Sequence, residues 1–269
     1  MKQSVARIAV SEAVSPDTHV LVVEAPEIAT QCAPGQFVMV RCGDLTLRRP
    51  LSVHGADNGH VALLYRAVGS GTKWLAGLLR GDSVDVYGPC GSGYTLPEEG
   101  QRVLLMAGGL GIAPLYFLAS RLASYCEVVL VHGGRSLAEM YAPPSALLDY
   151  VPNVGAVATA TLVQVTDDGT CGLRGTACDG IRDYVDWAQR IYVCGPVPMC
   201  CGFMDMSSGR DRDVESKILD AEVSLEVRMA CGVGACYGCS IETTQGRRKV
   251  CQDGPVFRMG DVLWDEVKA

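Results

Sequence analysis

No long run of lysine or arginine occurs in this 269-residue sequence, whose 23 basic residues are outnumbered by 30 acidic ones for a net charge of -7. A nucleic-acid binder draws its affinity from neutralising phosphates, so the absence of a basic stripe argues against that class. The first residues, MKQSVARIAVSEAV, contain no uninterrupted apolar stretch and no cleavage site, so no export signal is read and a cytoplasmic location is expected. The longest apolar run, Val103 to Ala119, is too short for a bilayer and is interrupted by Gly108, Gly109, Gly111 and Pro114. Histidine is scarce as well. His19, His54, His60 and His132 stand singly, without orienting partners, and read as structural or surface residues. Nor does any lone cysteine have an obvious base beside it, so machinery for drawing a proton from a carbon substrate is not visible.

What the sequence does contain is cysteine, 13 residues of it, within a composition that is 48% apolar. That length and apolar content suffice for two domains and a small additional module. A reducing cytosol keeps thiols free, so disulfides are not expected. Four cysteines stand out in the stretch MACGVGACYGCSIETTQGRRKVC, residues 229–251: Cys231, Cys236 and Cys239 are spaced C-x4-C-x2-C, and Cys251 follows after eleven residues. Four thiolates on one small loop are the ligand set of a [2Fe-2S] cluster, and the x4/x2 spacing is the plant-type pattern rather than the paired CxxC of a zinc ribbon. Gly232, Gly234 and Gly238 suit such a loop, because positions without a Cβ let backbone N–H groups close in on sulfur. Structural zinc and buried free thiols are the alternatives. The nine other cysteines read as small core hydrophobes.

Residues 1–97 read as antiparallel β. The alternating runs Val5–Val10, Val20–Val23, Phe37–Arg41, Val61–Tyr65 and Ser83–Tyr87 are separated by turn clusters such as Ala33-Pro34-Gly35, which suggests a small barrel. A helix is expected over Lys73–Leu79, capped by Thr72 and ended by Gly81, with Trp74, Leu75, Leu78 and Leu79 on one apolar face. Two polar stretches are not explained by strand formation. In Arg48-Arg49-Pro50-Leu51-Ser52 a guanidinium is suited to grip a pyrophosphate and Ser52 to offer a hydroxyl to a flavin ring; the plainer reading is a solvated strand edge. Gly69-Ser70-Gly71-Thr72 enters a helix N-terminus, where N–H groups favour phosphate; the plainer reading is a turn.

From about residue 98 the pattern changes. Val103–Ala107 is a continuous apolar run typical of a buried parallel strand, followed by Gly108-Gly109-Leu110-Gly111-Ile112-Ala113-Pro114 and a helical pattern through Ala123. The glycines fit a turn that lets a dinucleotide phosphate approach the helix, with Pro114 where the fingerprint has its third glycine. Glu127–Val131 and Arg190–Val193 supply further strands, the latter ending in Cys194-Gly195-Pro196. Asp167 and Asp168 before Gly169 most simply make a turn.

The series RRPLS, LYR (Leu64–Arg66), GSGT, GPCGSGY (Gly88–Tyr94), GGLGIAP and CGP, in that order, resembles the ferredoxin-reductase-like flavoprotein superfamily. The segments SLEVRMACGVGACYGC and VCQDGPVF narrow the likeness to the electron-transfer subunits of NAD-linked dihydroorotate dehydrogenases, type 1B. The resemblance implies a multi-domain β plus α/β fold. Its parts are an antiparallel β-barrel FAD-binding domain (1–97), a Rossmann-like parallel α/β NAD-binding domain (98–210) and a small C-terminal [2Fe-2S] module (211–269). It implies FAD contacts from Arg49, Pro50, Leu51, Ser52, Leu64, Tyr65, Arg66, Gly71 and Thr72, NAD contacts from Gly108, Gly109, Gly111 and Pro114, and a cluster on Cys231, Cys236, Cys239 and Cys251. It also implies that Cys194 lies near the nicotinamide, although a buried thiol at a strand end is the competing reading. Two departures are visible: Leu51 stands where many members carry Tyr, and Cys90 is unusual in its loop.

NAD exchanges two electrons as a hydride and a [2Fe-2S] cluster takes one at a time, so a flavin between them matches the counts. The expected function is an electron-transfer subunit that takes electrons from an FMN-containing dihydroorotate dehydrogenase catalytic subunit, in a heterotetramer, and reduces NAD+ during pyrimidine (UMP) biosynthesis. The rivals are a related subunit of an NADH-dependent ferredoxin:NADP+ oxidoreductase or a hydrogenase complex, and, more distantly, a non-redox nucleotide-binding protein with a four-cysteine zinc site. Arg135, near where a ribose 2′ group could lie, would suit a phosphate.

Overall fold

The structure is a computed structural model, which describes residues 1–267. Six antiparallel strands, β1 (Lys2–Ala13), β2 (Thr18–Glu24), β3 (Phe37–Val40), β4 (Arg49–Asp57), β5 (His60–Arg66) and β6 (Ser83–Cys90), close into a barrel in the order β1-β2-β5-β4-β3-β6. β4 is the strand that periodicity does not show. It begins on the polar Arg49-Pro50 pair, and it carries Gly55 where the β4–β5 register shifts between Val53 and Gly55. Its pairing to β3, from Phe37↔Ser52 to Val40↔Arg49, pins the RRPLS residues along one barrel edge.

The short barrel helix spans Ser70–Ala76 rather than Lys73–Leu79, with Gly69 at its N-cap and Gly77 at its C-cap. Thr72 is its third residue and caps in reverse: its Oγ1 accepts a hydrogen bond from the Gly69 N–H at 3.1 Å. The expected apolar face is only partly used. Leu75 is buried in the barrel core, whereas Trp74 is 40% and Leu79 is 70% exposed.

The second layer is a sheet built on β7 (Arg102–Gly108), β8 (Glu127–Gly134), β9 (Thr161–Thr166), β10 (Leu173–Arg174), β11 (Arg190–Cys194) and β12 (Glu222–Ser224). After the hairpin β13 (Ser240–Thr243) and β14 (Gly246–Lys249), β15 (Val256–Arg258) returns to the sheet. The order is β10-β9-β8-β7-β11-β12-β15, parallel except for β15, which pairs antiparallel with β12. The sheet thus draws on strands from beyond residue 210, and the cysteine loop is an excursion from its edge that comes back to it.

Alternation along the central strand β7 explains why it reads as unbroken apolar sequence. Leu104 and Met106 enter one core, and Val103, Leu105 and Ala107 enter another on the opposite face. The second core holds the helix Ile112–Leu122, of which every residue but Arg121 is buried, because it lies between the sheet and barrel strand β4. His54 of β4 ties the layers together. It is fully buried, with its ring nitrogens 3.1 Å from the Ala113 carbonyl oxygen and 2.7 Å from the Tyr141 hydroxyl, and burial pushes its pKa down to about 4. That is the structural role its isolated position suggested. No helix among the described residues is long and apolar enough to cross a membrane.

Candidate flavin cleft and iron-sulfur site

Where barrel, sheet and cysteine loop meet there is a cleft of about 620 Å³, within the ordinary size range of cofactor sites. Arg49, Pro50, Leu51 and Ser52 of β4, Leu64, Tyr65 and Arg66 of β5, and Thr72 of the short helix all line it. Gly71 acts from behind. A Cβ there would stand 2.7 Å from Arg49 Nε, so glycine is what lets the guanidinium lie against the helix start.

The two neighbouring arginines have different tasks. Arg48 is bound to Asp85, with Nη2 2.6 Å from Oδ2 and Nη1 3.1 Å from Oδ1, and it stacks over Tyr87 at 5.2 Å. It is structural. Arg49 has no acidic partner among the described residues and donates only to the Leu47 and Arg48 carbonyls, which leaves its remaining N–H groups for an anion in the cleft. Tyr65 presents a buried hydroxyl without any hydrogen-bond partner. An orphaned hydroxyl in a polar-rimmed cleft costs free energy unless a bound group satisfies it. Arg66 Nε is likewise unsatisfied, lying 3.4 Å from Asp17 but out of line for a hydrogen bond. A free cation, two orphaned donors and a cradle that a Cβ would fill together fit a phosphate-bearing aromatic cofactor such as FAD.

The far wall of the cleft was not visible in the sequence. It is Ser224–Met229, an extended segment leaving β12 and held to the chain by the Leu225 N–H donating to the Pro255 carbonyl at 2.9 Å. Glu226 and Arg228 bring charge to it. The segment belongs to the SLEVRM motif that carries the family likeness, but without periodicity or a turn signature its residues do not show that they face the cleft.

Beyond Met229 the chain enters the cysteine loop, where Gly232 (φ 68°), Gly234 (φ 76°) and even Tyr237 (φ 60°) adopt left-handed backbone. The turns aim N–H groups at sulfur. Gly234 donates to Cys251 Sγ at 3.1 Å, Cys236 to Cys231 Sγ at 3.4 Å, and Val233, Gly238 and Cys251 to Cys231, Cys236 and Cys239 at 3.5 Å each. Burial works against ionisation of Cys231, but the N–H groups of Val233 and Cys236 outweigh it and bring the thiol down to about 6. Burial and the neighbouring Cys239 push Cys251 up to about 12.

The cysteines stand as two linked pairs, the Cys236 N–H reaching the Cys231 sulfur and the Cys251 N–H reaching the Cys239 sulfur. Among the described residues no three potential ligands converge on a single ion. Two pairs, two thiolates to each iron, fit a [2Fe-2S] cluster. The loop is fastened to the barrel by the Tyr87 hydroxyl, which donates to the Cys231 carbonyl.

The glycine-rich turn lies at the carboxyl end of β7, beside that of β11. Gly108 ends β7, Gly109 to Gly111 form a single 3₁₀ turn, and Pro114 sits in the first turn of the helix. The freedom of Gly111 is used for packing, since a Cβ there would stand 2.0 Å from the Cys194 carbonyl oxygen. Cys194 itself is wholly buried, and burial raises its thiol far above the ordinary value. Arg135 is engaged by Glu139, with its Nε 2.7 Å from Oε1, and that guanidinium holds the Glu139 carboxyl below its usual range. Glu139 also lies 3.4 Å from Arg66, so Arg135 is one end of a network that reaches the cleft rather than a free cation. Asp168 does make a turn, accepting from the Thr170 N–H at 2.9 Å.

Comparison with known proteins agrees with this geometry. A family model described as the oxidoreductase FAD-binding domain matches residues 5–94, and one described as the iron-sulfur cluster binding domain of dihydroorotate dehydrogenase B matches residues 226–263. The dihydroorotate dehydrogenase B (NAD(+)) electron transfer subunit of Desulforamulus reducens is 38% identical over 94% of this chain and 95% of its own length. That of Shouchella clausii is 39% identical over 93% and 94%. Among solved structures, an NADH-dependent reduced ferredoxin-NADP oxidoreductase superposes with a TM-score of 0.77 at 25% identity, covering 97% of this chain and 91% of that one. At 38–39% identity over nearly the full length of both chains, the chain belongs to the family of dihydroorotate dehydrogenase B electron-transfer subunits.

Proposed function

We propose that this chain carries electrons from a dihydroorotate-oxidising subunit to NAD+ in pyrimidine (UMP) biosynthesis, through a [2Fe-2S] cluster on Cys231, Cys236, Cys239 and Cys251 and an FAD in the cleft. The observation that carries the reading is continuity: Met229 lines the cleft and Cys231 follows two residues later, which bounds the separation of their Cα atoms at about 7 Å. One chain segment thus forms both a wall of the flavin site and the start of the cluster loop. When bound, FAD exchanges hydride with a nicotinamide and single electrons with a cluster, and so joins the two currencies. Arg49 holds the pyrophosphate, with Gly71 and Thr72 beside it. Pro50, Leu51 and Leu64 supply apolar wall, Ser52 and Tyr65 offer hydroxyls, and Arg66 offers its orphaned N–H.

NAD is proposed to enter where the sheet changes direction between β7 and β11, over Gly108, Gly109, Gly111 and Pro114, because ligands gather at such switch points of open α/β sheets. Cys194 lies beneath that crevice as a neutral thiol. The partner is proposed to be the FMN-containing catalytic subunit, two copies of each chain forming a heterotetramer, with the cluster loop and its exposed Tyr237 at the contact.

Reconstitution tests the reading. Alone, the FAD- and cluster-loaded chain should oxidise NADH with an artificial acceptor and leave dihydroorotate untouched; with the FMN-bearing subunit from the same cell, dihydroorotate should drive NADH formation. Failure of the two chains to associate, with binding instead to a hydrogenase or ferredoxin:NADP+ oxidoreductase partner, would overturn the pathway assignment.

A further inference from the structure

The electron path just proposed leaves one hydrogen nucleus without a source. Conversion of NAD+ to NADH takes up two electrons and one proton, and electrons that arrive through a cluster bring no proton with them. The proton has to reach the flavin ring from a protein acid or from water, and an acid fixed in the cleft wall delivers it without a change of solvent position. Among the described residues lining the cleft, Glu226 alone carries a carboxyl group.

Its setting suits the task. Glu226 is solvent-exposed and lines the cleft from the wall segment that Leu225 anchors to Pro255, and partial desolvation by the surrounding protein pushes its carboxyl up. A carboxyl so raised holds its proton closer to neutral pH than a surface one does. The charged and titratable groups around it are known. Arg49 and Arg66 face the cleft from the barrel, Arg48 is neutralised by Asp85, and Arg228 stands on the same segment. The thiols of Cys194 and Cys200 are raised by burial first and by the Glu226 charge in addition. Both are far less acidic than a carboxyl, as is Tyr65, whose hydroxyl burial also raises. They are poor competitors for donating the proton.

We propose that Glu226 is the proton donor to the cleft-bound flavin when electrons arrive one at a time. The Glu226 O–H bond breaks, an N–H bond forms on the ring as the second electron enters, and the carboxylate is reprotonated from the solvent to which Glu226 is exposed. Hydride then leaves with that hydrogen to NAD+, so that two electrons and one proton are consumed for each NADH. The reverse half-reaction, NADH to flavin, carries its own hydrogen and needs no acid.

That asymmetry makes the test. The full chain loaded with FAD and cluster, as wild type, Glu226→Gln and Glu226→Asp, is reduced in stopped flow either by dithionite, which delivers single electrons whatever the physiological partner, or by NADH. The flavin band should bleach on the order of 10²-fold more slowly in Glu226→Gln with dithionite, and within about threefold of wild type with NADH. Glu226→Asp should recover most of the dithionite rate. Redox-induced infrared difference spectra should show a carboxyl C=O band in the wild type that Glu226→Gln lacks. Equal slowing with both reductants, an unchanged dithionite rate, or a carboxyl band that survives in Glu226→Gln would overturn the proposal. Because dithionite replaces the partner, these outcomes are separate from the fate of the dihydroorotate assignment.

Discussion

Gly71→Ala separates folding from flavin binding, because the structure gives the two effects opposite signs. Gly71 is the second residue of the helix Ser70–Ala76, with ordinary helical backbone, so alanine there should favour the helix by roughly 0.5–1 kcal/mol. The added Cβ, however, would stand 2.7 Å from Arg49 Nε and 3.1 Å from both Cζ and Nη2. Those are the far atoms of a flexible side chain. The guanidinium can swing away at little cost to the fold, but not without leaving the place from which it is proposed to reach the pyrophosphate. Losing a charge-assisted contact of that kind costs about 1.5–3 kcal/mol, or roughly 10- to 150-fold in FAD affinity. The assay is flavin fluorescence quenching on titration of the apoprotein, alongside its thermal melt. The variant should melt slightly higher and bind FAD more weakly. Arg49→Ala should weaken binding by a similar factor, and Gly71→Ala added to Arg49→Ala should weaken it little further, since both act through one guanidinium. Wild-type FAD affinity in Gly71→Ala, or a full additional loss in the double variant, would refute the reasoning.

Two other outcomes follow from single sites. Cys251→Ser removes one member of the linked Cys239–Cys251 pair, so iron should fall out while FAD stays; iron analysis and the visible spectrum report each, and a retained full [2Fe-2S] spectrum would require another ligand. His54, ordinarily near 6.5, is held to about 4 by burial, so the unfolded chain binds a proton that the folded one refuses. Its contribution is complete above about pH 6.5 and is lost as pH falls toward about 4, on the order of 3 kcal/mol in all. Urea midpoints across that range should show this acid limb in the wild type and a flatter one in His54→Gln; matching slopes would count against it.

Local chemistry was enough to propose where electrons and phosphates would be held. The x4/x2 cysteine spacing needs no distant residue to make sense, because the loop's own N–H groups solvate its sulfurs. The apolar run of β7 and its following glycines are legible for a similar reason, since burial on both faces removes polar alternation from the strand itself. What stayed hidden depended on residues far apart in the chain. Arg48 and Arg49 are equivalent in sequence, and only Asp85, brought across the barrel by β6, makes one a brace and leaves the other free. Gly111 fits a phosphate turn on paper, yet it is the approach of the Cys194 backbone that forbids a Cβ. β12 and β15 are three residues each, too short for any period to register, and they exist as strands because the sheet edge supplies their partners. By joining that edge they fix Ser224–Met229 as the far wall of the cleft and set Glu226 within it. Spacing along a chain can specify a loop that binds by itself, but a cleft is made by surfaces that meet only after folding.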